Sequence, residues 1–112
     1  MRAMKDIEVG EGPFALAFDK AGNRLFVAAV RNGEVTVIDG ATQAVTARIA
    51  VGGAPYGIAV DTEGDRVLVT NQHADRVSII DQTRLRLIAT IGVGRYPEAV
   101  TTWRGKAYVA NW

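Results

Sequence analysis

VGGAPYGIAVDTEGDRVLVTNQHADRVSIIDQTRLRLIATIG, residues 51–92, lies without a gap beneath VGEGPFALAFDKAGNRLFVAAVRNGEVTVIDGATQAVTARIA, residues 9–50. Pro13 stands over Pro55, Asp19 over Asp61, Gly22 over Gly64, Arg24 over Arg66 and Asp39 over Asp81. A third copy opens at Val93, reads VGVGRYPEAVTTWRGKAYVANW, is two residues shorter about its first turn, and runs to Trp112. Residues 1–8 stand where residues 43–50 stand in the next copy, so they are expected to form the last strand of an earlier unit. Both ends of the sequence then fall inside repeats.

Within each copy four short apolar runs alternate with turn residues, the pattern of antiparallel strands. In residues 51–92 strand A is GIAV (57–60), B is RVLVTN (66–71), C is RVSII (76–80) and D is LRLIATI (85–91). Asp61-Thr-Glu-Gly64 and Asp19-Lys-Ala-Gly22 place Asp first and Gly fourth, as a type I turn between A and B requires. Asn32-Gly33 suits the B–C hairpin of the first copy, since both residues tolerate positive φ. A period in the low forties with four strands and no helical patterning defines an all-β chain of four-stranded β-propeller blades. The expected division is 1–8, the outer strand of a preceding blade; 9–50 and 51–92, complete blades; and 93–112, the first half of another. Together these make about two and three-quarter blades of an incomplete ring, since propellers close with four to eight.

Thirteen basic residues oppose twelve acidic ones, evenly along the chain, so no footprint for nucleic acid or an anionic membrane is present. Without cysteine there is no disulfide and no thiolate metal site. No apolar run approaches the roughly 20 residues of a spanning helix, and MRAMKDIEVGEG lacks the apolar core of a secretory signal. Compartment is therefore open on these grounds.

The segments GIAV, RVLVTN, RVSIID and ATI, with GKAYVANW near the end, resemble the YVTN family of WD40-like propeller repeats over nearly the whole chain. Asp61-Thr62 departs from the residue-Pro of that pattern, and Ala29 replaces the Asn found at 71 and 111. The resemblance implies a periplasmic or extracellular address and a repertoire instead of one activity. That repertoire holds binding proteins, scaffolds of redox systems, and relatives among haem d1 domains, quinoprotein subunits and lactonases.

Arg24 and Arg66 open strand B while Asp39 and Asp81 close strand C, so each pair is expected to form a cross-strand ion pair, a structural role that outweighs a catalytic one. Gly10-Glu-Gly12, Gly52-Gly53 and Gly92-Val-Gly94 lack the Lys-Ser/Thr of a phosphate loop and open strands. His73 is the only histidine and Ser78 the only serine, which disfavours a Ser-His-Asp set or a metal ligand cluster. Glu11, Glu63 and Glu98 read as solvated, and Trp103 and Trp112 as core packing or blade-edge contacts. No catalytic residue, metal ligand or cofactor is assigned.

Strand alternation brings the D–A and B–C loops to one end of the blades. That end carries Tyr56, Asn71, Gln72, His73, Arg95 and Tyr96, the candidate ligand-binding residues, with Arg31, Asn32 and Asp75 beside them. The function expected is a non-catalytic module that binds a protein or small ligand. The alternative is part of an enzyme or electron-transfer propeller whose site needs further blades. The ring has two completions: more blades of a longer propeller, or further copies of this chain in a homo-oligomer.

Overall fold

The computed structural model describes residues 6–19, 23–61 and 63–112. Among the described residues ten strands run β1 (Pro13–Asp19), β2 (Arg24–Ala29), β3 (Glu34–Asp39), β4 (Val45–Ala50), β5 (Pro55–Asp61), β6 (Arg66–Asn71), β7 (Arg76–Asp81), β8 (Arg86–Gly92), β9 (Pro97–Trp103) and β10 (Lys106–Asn111). A 3₁₀ turn, Gln72–Ala74, joins β6 to β7. The sheets are antiparallel, in the orders β1-β2-β3-β4, β5-β6-β7-β8 and β9-β10: two whole blades and half of a third. The expected strand at 1–8 lies largely outside the described residues, and residues 6–8 belong to no regular element. No helix among the described residues is long and apolar enough to cross a membrane.

The blades fan from one edge. Their first strands, β1, β5 and β9, are neighbours, whereas the outer strands β4 and β8 have splayed apart. Between the two full blades Phe26, Val35, Val37 and Ile49 meet Val67, Val69 and Ile80, with Ile58 and Val60 of β5 packed alongside. One face of each blade therefore looks forward, toward the following blade, and the other looks back.

Equivalent positions in the repeat show how far each forward face is covered. Phe26 is 0% exposed, Leu68 8% and Tyr108 53%, as the sheet in front shrinks from four strands to two to none. On the backward side, Leu16 and Phe18 of β1 are exposed, while their counterparts Ile58 and Val60 pack against the first blade.

The second blade and the half-blade come close together at Gly57. A Cβ there would run into the carbonyl oxygen of Glu98, so no larger residue fits between β5 and β9. Thr70 Oγ1 bridges the same junction, donating to the Glu98 carbonyl and accepting from the Gly57 amide, each at 2.7 Å.

Two local expectations are corrected. Register does place Arg24 opposite Asp39 and Arg66 opposite Asp81, but the ion pairs do not form there. Asp39 Oδ1 instead accepts the Ala41 and Thr42 amides, and Asp81 Oδ1 those of Thr83 and Arg84, so each carboxylate caps its own C–D turn. Arg24 pairs with Asp19 of β1 at 3.3 Å, and Arg84 with Asp81 at 3.5 Å. The B–C hairpin of the first blade also differs: it is a four-residue loop in which Gly33 alone is left-handed, while Asn32 Oδ1 accepts the Glu11 amide.

Of the two A–B turns, Asp19–Gly22 runs outside the described residues. The other leaves four residues between Asp61 and Arg66 and closes on a left-handed Asp65, φ 54°. In the third copy the two missing residues shorten this turn to Arg104-Gly105, with φ of 50° and 75°, the mirror-image turn that suits a two-residue hairpin.

Candidate functional site

Main-chain bonds tie the D–A crossings to the B–C hairpins and so build one end of the molecule. The Gln72 and His73 amides donate to the carbonyls of Ala54 and Gly53, the Val93 amide donates to Asp75, and the Trp112 amide reaches Arg95. The six expected site residues all sit at or just beneath this end, in unequal roles.

Asn71 is buried, and its side chain is committed to the scaffold. Its Nδ2 donates to the Gly52 carbonyl at 2.8 Å and, at 3.3 Å, to that of Val51, while its Oδ1 accepts the Ser78 hydroxyl. His73 and Arg95 are exposed on the loops. Tyr96 is exposed and left-handed, φ 48°, its amide held at 3.0 Å by the Asp75 carboxylate. The equivalent residues Gly12 and Ala54 are left-handed too, so the crossing imposes this conformation on whatever side chain stands there.

Phe14, which the sequence reading left aside, and Glu98, which it took as solvated, complete the site around the expected Tyr56. Phe14, Tyr56 and Glu98 occupy one position in three successive blades, second in β1, β5 and β9. The Phe14 and Tyr56 rings stack with centroids 3.8 Å apart at 30°. Glu98 Oε1 accepts Gln72 Nε2 at 3.0 Å and Trp112 Nε1 at 2.6 Å, so one carboxylate joins the loop of the second blade to the end of β10. Glu98 is thus half-buried and engaged, not merely solvated, and Trp112 serves as a blade-edge donor with its ring in solvent. Trp103 is likewise exposed instead of packed, with the Arg104 guanidinium 5.1 Å from its ring.

Phe14, Ala15, Tyr56, Gly57, Ile58, Glu98, Ala99 and Val100 line a recess of about 350 Å³ along the inner strands. Gln72, Tyr96 and Trp112 line a second recess on the far side of the Glu98 hydrogen bonds. The signal for the first was present in the repeat, because residues 14, 56 and 98 share a column. Two aromatic rings and a carboxylate do not look alike, however, and the column matters only once three inner strands are side by side. Together the recesses offer aromatic surface, an oriented carboxylate and polar loop groups, a combination suited to holding a ligand.

A family profile described as YNCE-like beta-propeller matches residues 2–107. Among curated proteins none matches. Among solved structures, hydrazine synthase of Kuenenia stuttgartiensis is 33% identical with a TM-score of 0.85, over 98% of this chain and 33% of its own. The dihydro-heme d1 dehydrogenase NirN, solved in complex with DHE, is 28% identical with a TM-score of 0.70, over 90% of this chain and 23% of its own. A functionally unknown protein of Desulfotomaculum acetoxidans, 16% identical over 96% of this chain and 38% of its own, has a TM-score of 0.83 and shares the fold. This chain therefore spans from under a quarter to under two fifths of the length of these similar proteins.

Proposed function

The chain belongs to the YNCE-like beta-propeller family, and from that premise we propose that it is a non-catalytic binding module whose ligand meets the end built by the D–A and B–C loops. The blades are read as YVTN-type repeats, on the strength of Val69-Thr70-Asn71 and Tyr108-Val109-Ala110-Asn111 at the ends of equivalent strands. The carrying observation is the Glu98 carboxylate, which ties Gln72 and Trp112 together between two recesses. Polar loop groups held rigidly over a packed sheet are what a recognition surface requires. Tyr56, Gln72, His73, Arg95 and Tyr96 supply contacts in this reading, and Asn71 supports them from below.

The test is a thermal-shift screen of small metabolites and short peptides, with hits mapped by amide chemical shifts. Hits are expected to move loop-end residues, to be lost in an Arg95→Ala/Tyr96→Ala double variant, and to survive Glu63→Ala at the opposite end. Hits that map to the opposite end, or that are consumed on incubation, would sink the reading.

A second reading rests on the likeness to hydrazine synthase and to the dihydro-heme d1 dehydrogenase. In it the chain is part of an enzyme or electron-transfer propeller whose reacting groups come largely from other blades. Redox-active absorbance or turnover in a closed-ring protein containing these blades would favour it.

A further inference from the structure

We infer that the row Phe14, Tyr56 and Glu98 takes a cationic group, an ammonium or guanidinium, carried on a small organic ligand. This inference rests on the binding reading above and assigns the charge of what binds. Glu98 is the only acidic or basic side chain in the lining of the inner recess. Its two hydrogen-bond donors, the Gln72 amide and the Trp112 indole, are both neutral, so they orient the carboxylate without cancelling its charge. Among the described residues no Lys, Arg or His forms an ion pair with it. Both donors end on Oε1, so among the described residues Oε2 carries no hydrogen bond.

The rest of the wall is apolar or aromatic: Ala15, Gly57, Ile58, Ala99 and Val100 beside the Phe14–Tyr56 stack. An anion entering here meets a like charge. A neutral apolar ligand strips water from a carboxylate and gives nothing back. A cation satisfies Oε2 and lies near ring faces whose quadrupole is negative. At about 350 Å³ the recess matches the lower end of small-molecule pockets, roughly 300–1,000 Å³.

The experiment titrates the ¹⁵N-labelled chain with three probes of similar shape: benzyltrimethylammonium, benzyl alcohol and phenylacetate. The Trp112 indole, the Gln72 side-chain amide and the Gly57 amide are followed. The ammonium probe is expected to bind about tenfold more tightly than phenylacetate, the worth of one cation–π and carboxylate contact together. Glu98→Gln, which keeps an oxygen acceptor for Trp112, is expected to cut that preference to about two- to threefold, the share the rings supply. Tyr56→Leu is expected to weaken the ammonium probe severalfold, with strand circular dichroism unchanged in both variants. Equal binding of all three probes overturns the cationic assignment and leaves the loop-end binding module intact. A preference that persists undiminished in Glu98→Gln also overturns it. No shift with any probe overturns the inference, and the library screen then decides the broader reading separately.

Discussion

Asn71 and Ser78 form a buried pair in the second blade, and the first blade holds Ala29 and Thr36 at the same positions. With no amide opposite, the buried Thr36 hydroxyl has no hydrogen-bond partner among the described residues. An unmet buried hydroxyl costs about 1–3 kcal/mol. Thr36→Val is therefore expected to leave stability unchanged or raise it by about 1 kcal/mol, whereas Asn71→Ala should lower it by about 2 kcal/mol by orphaning the Val51 and Gly52 carbonyls. Urea unfolding of the two variants checks the contrast. Asp39 and Asp81 carry a second residue-scale consequence. The Thr42 and Ala41 amides hold the Asp39 carboxyl below its ordinary range, and the Arg84 and Thr83 amides, with the Arg84 charge, do the same for Asp81. Since the folded values lie below the unfolded one of about 3.9, this stabilisation is whole above that pH and fades as pH falls through the folded values. Melting temperature followed from pH 6 to pH 2 should drop less steeply in an Asp39→Asn/Asp81→Asn variant than in the parent. Tyr96 held at φ 48° is strained for a side-chain-bearing residue, so Tyr96→Gly should gain up to about 1 kcal/mol while losing ligand contact.

At the level of the strands, nearly everything was legible in the sequence. The four runs read in residues 51–92 correspond to β5 through β8, with edges moved by two residues at most. That legibility has a physical cause: a strand needs only alternation and turn residues, which are local, and a gapless repeat states them twice. What could not be read was where long side chains go when two partners compete. The strand register did bring Arg24 beside Asp39, yet the carboxylate chose turn amides two and three residues away, which require less ordering to meet. Glu98 was read as solvated for the complementary reason, since its donors lie 26 and 14 residues away. A strand-level prediction follows from the graded covering of the forward faces. Phe26→Ala should cost about 3–5 kcal/mol, as deletion of a buried ring does. Tyr108→Ala, at the same repeat position with no sheet before it, should cost under about 1 kcal/mol. Comparable losses at both sites would show that something covers Tyr108 in solution.

Taken whole, the chain ends in two apolar sheet faces of opposite kind: Leu16 and Phe18 look backward from β1, and Trp103 and Tyr108 stand on the last half-blade. The backward face of the second blade already packs on the forward face of the first, so the two open faces have the character of surfaces that fit each other. Light scattering at concentrations on the order of 10–100 µM should find association that Leu16→Glu and Tyr108→Glu each weaken, and that Glu63→Arg does not. A strictly monomeric chain across that range would mean the faces are self-sufficient. The gapless spacing between β1, β5 and β9 has an engineering meaning as well. Because Pro13, Pro55 and Pro97 each begin an inner strand at one fixed interval, the chain works as a ruler whose graduation is one blade. A duplicate of residues 51–92 spliced in after Gly92 lands on the next graduation, carrying its own Tyr56 and Gln72 into the growing rim. A splice of any other length would put Val93 out of step. The diameter of such a barrel of blades, and hence the girth of whatever threads its axis, becomes a matter of counting.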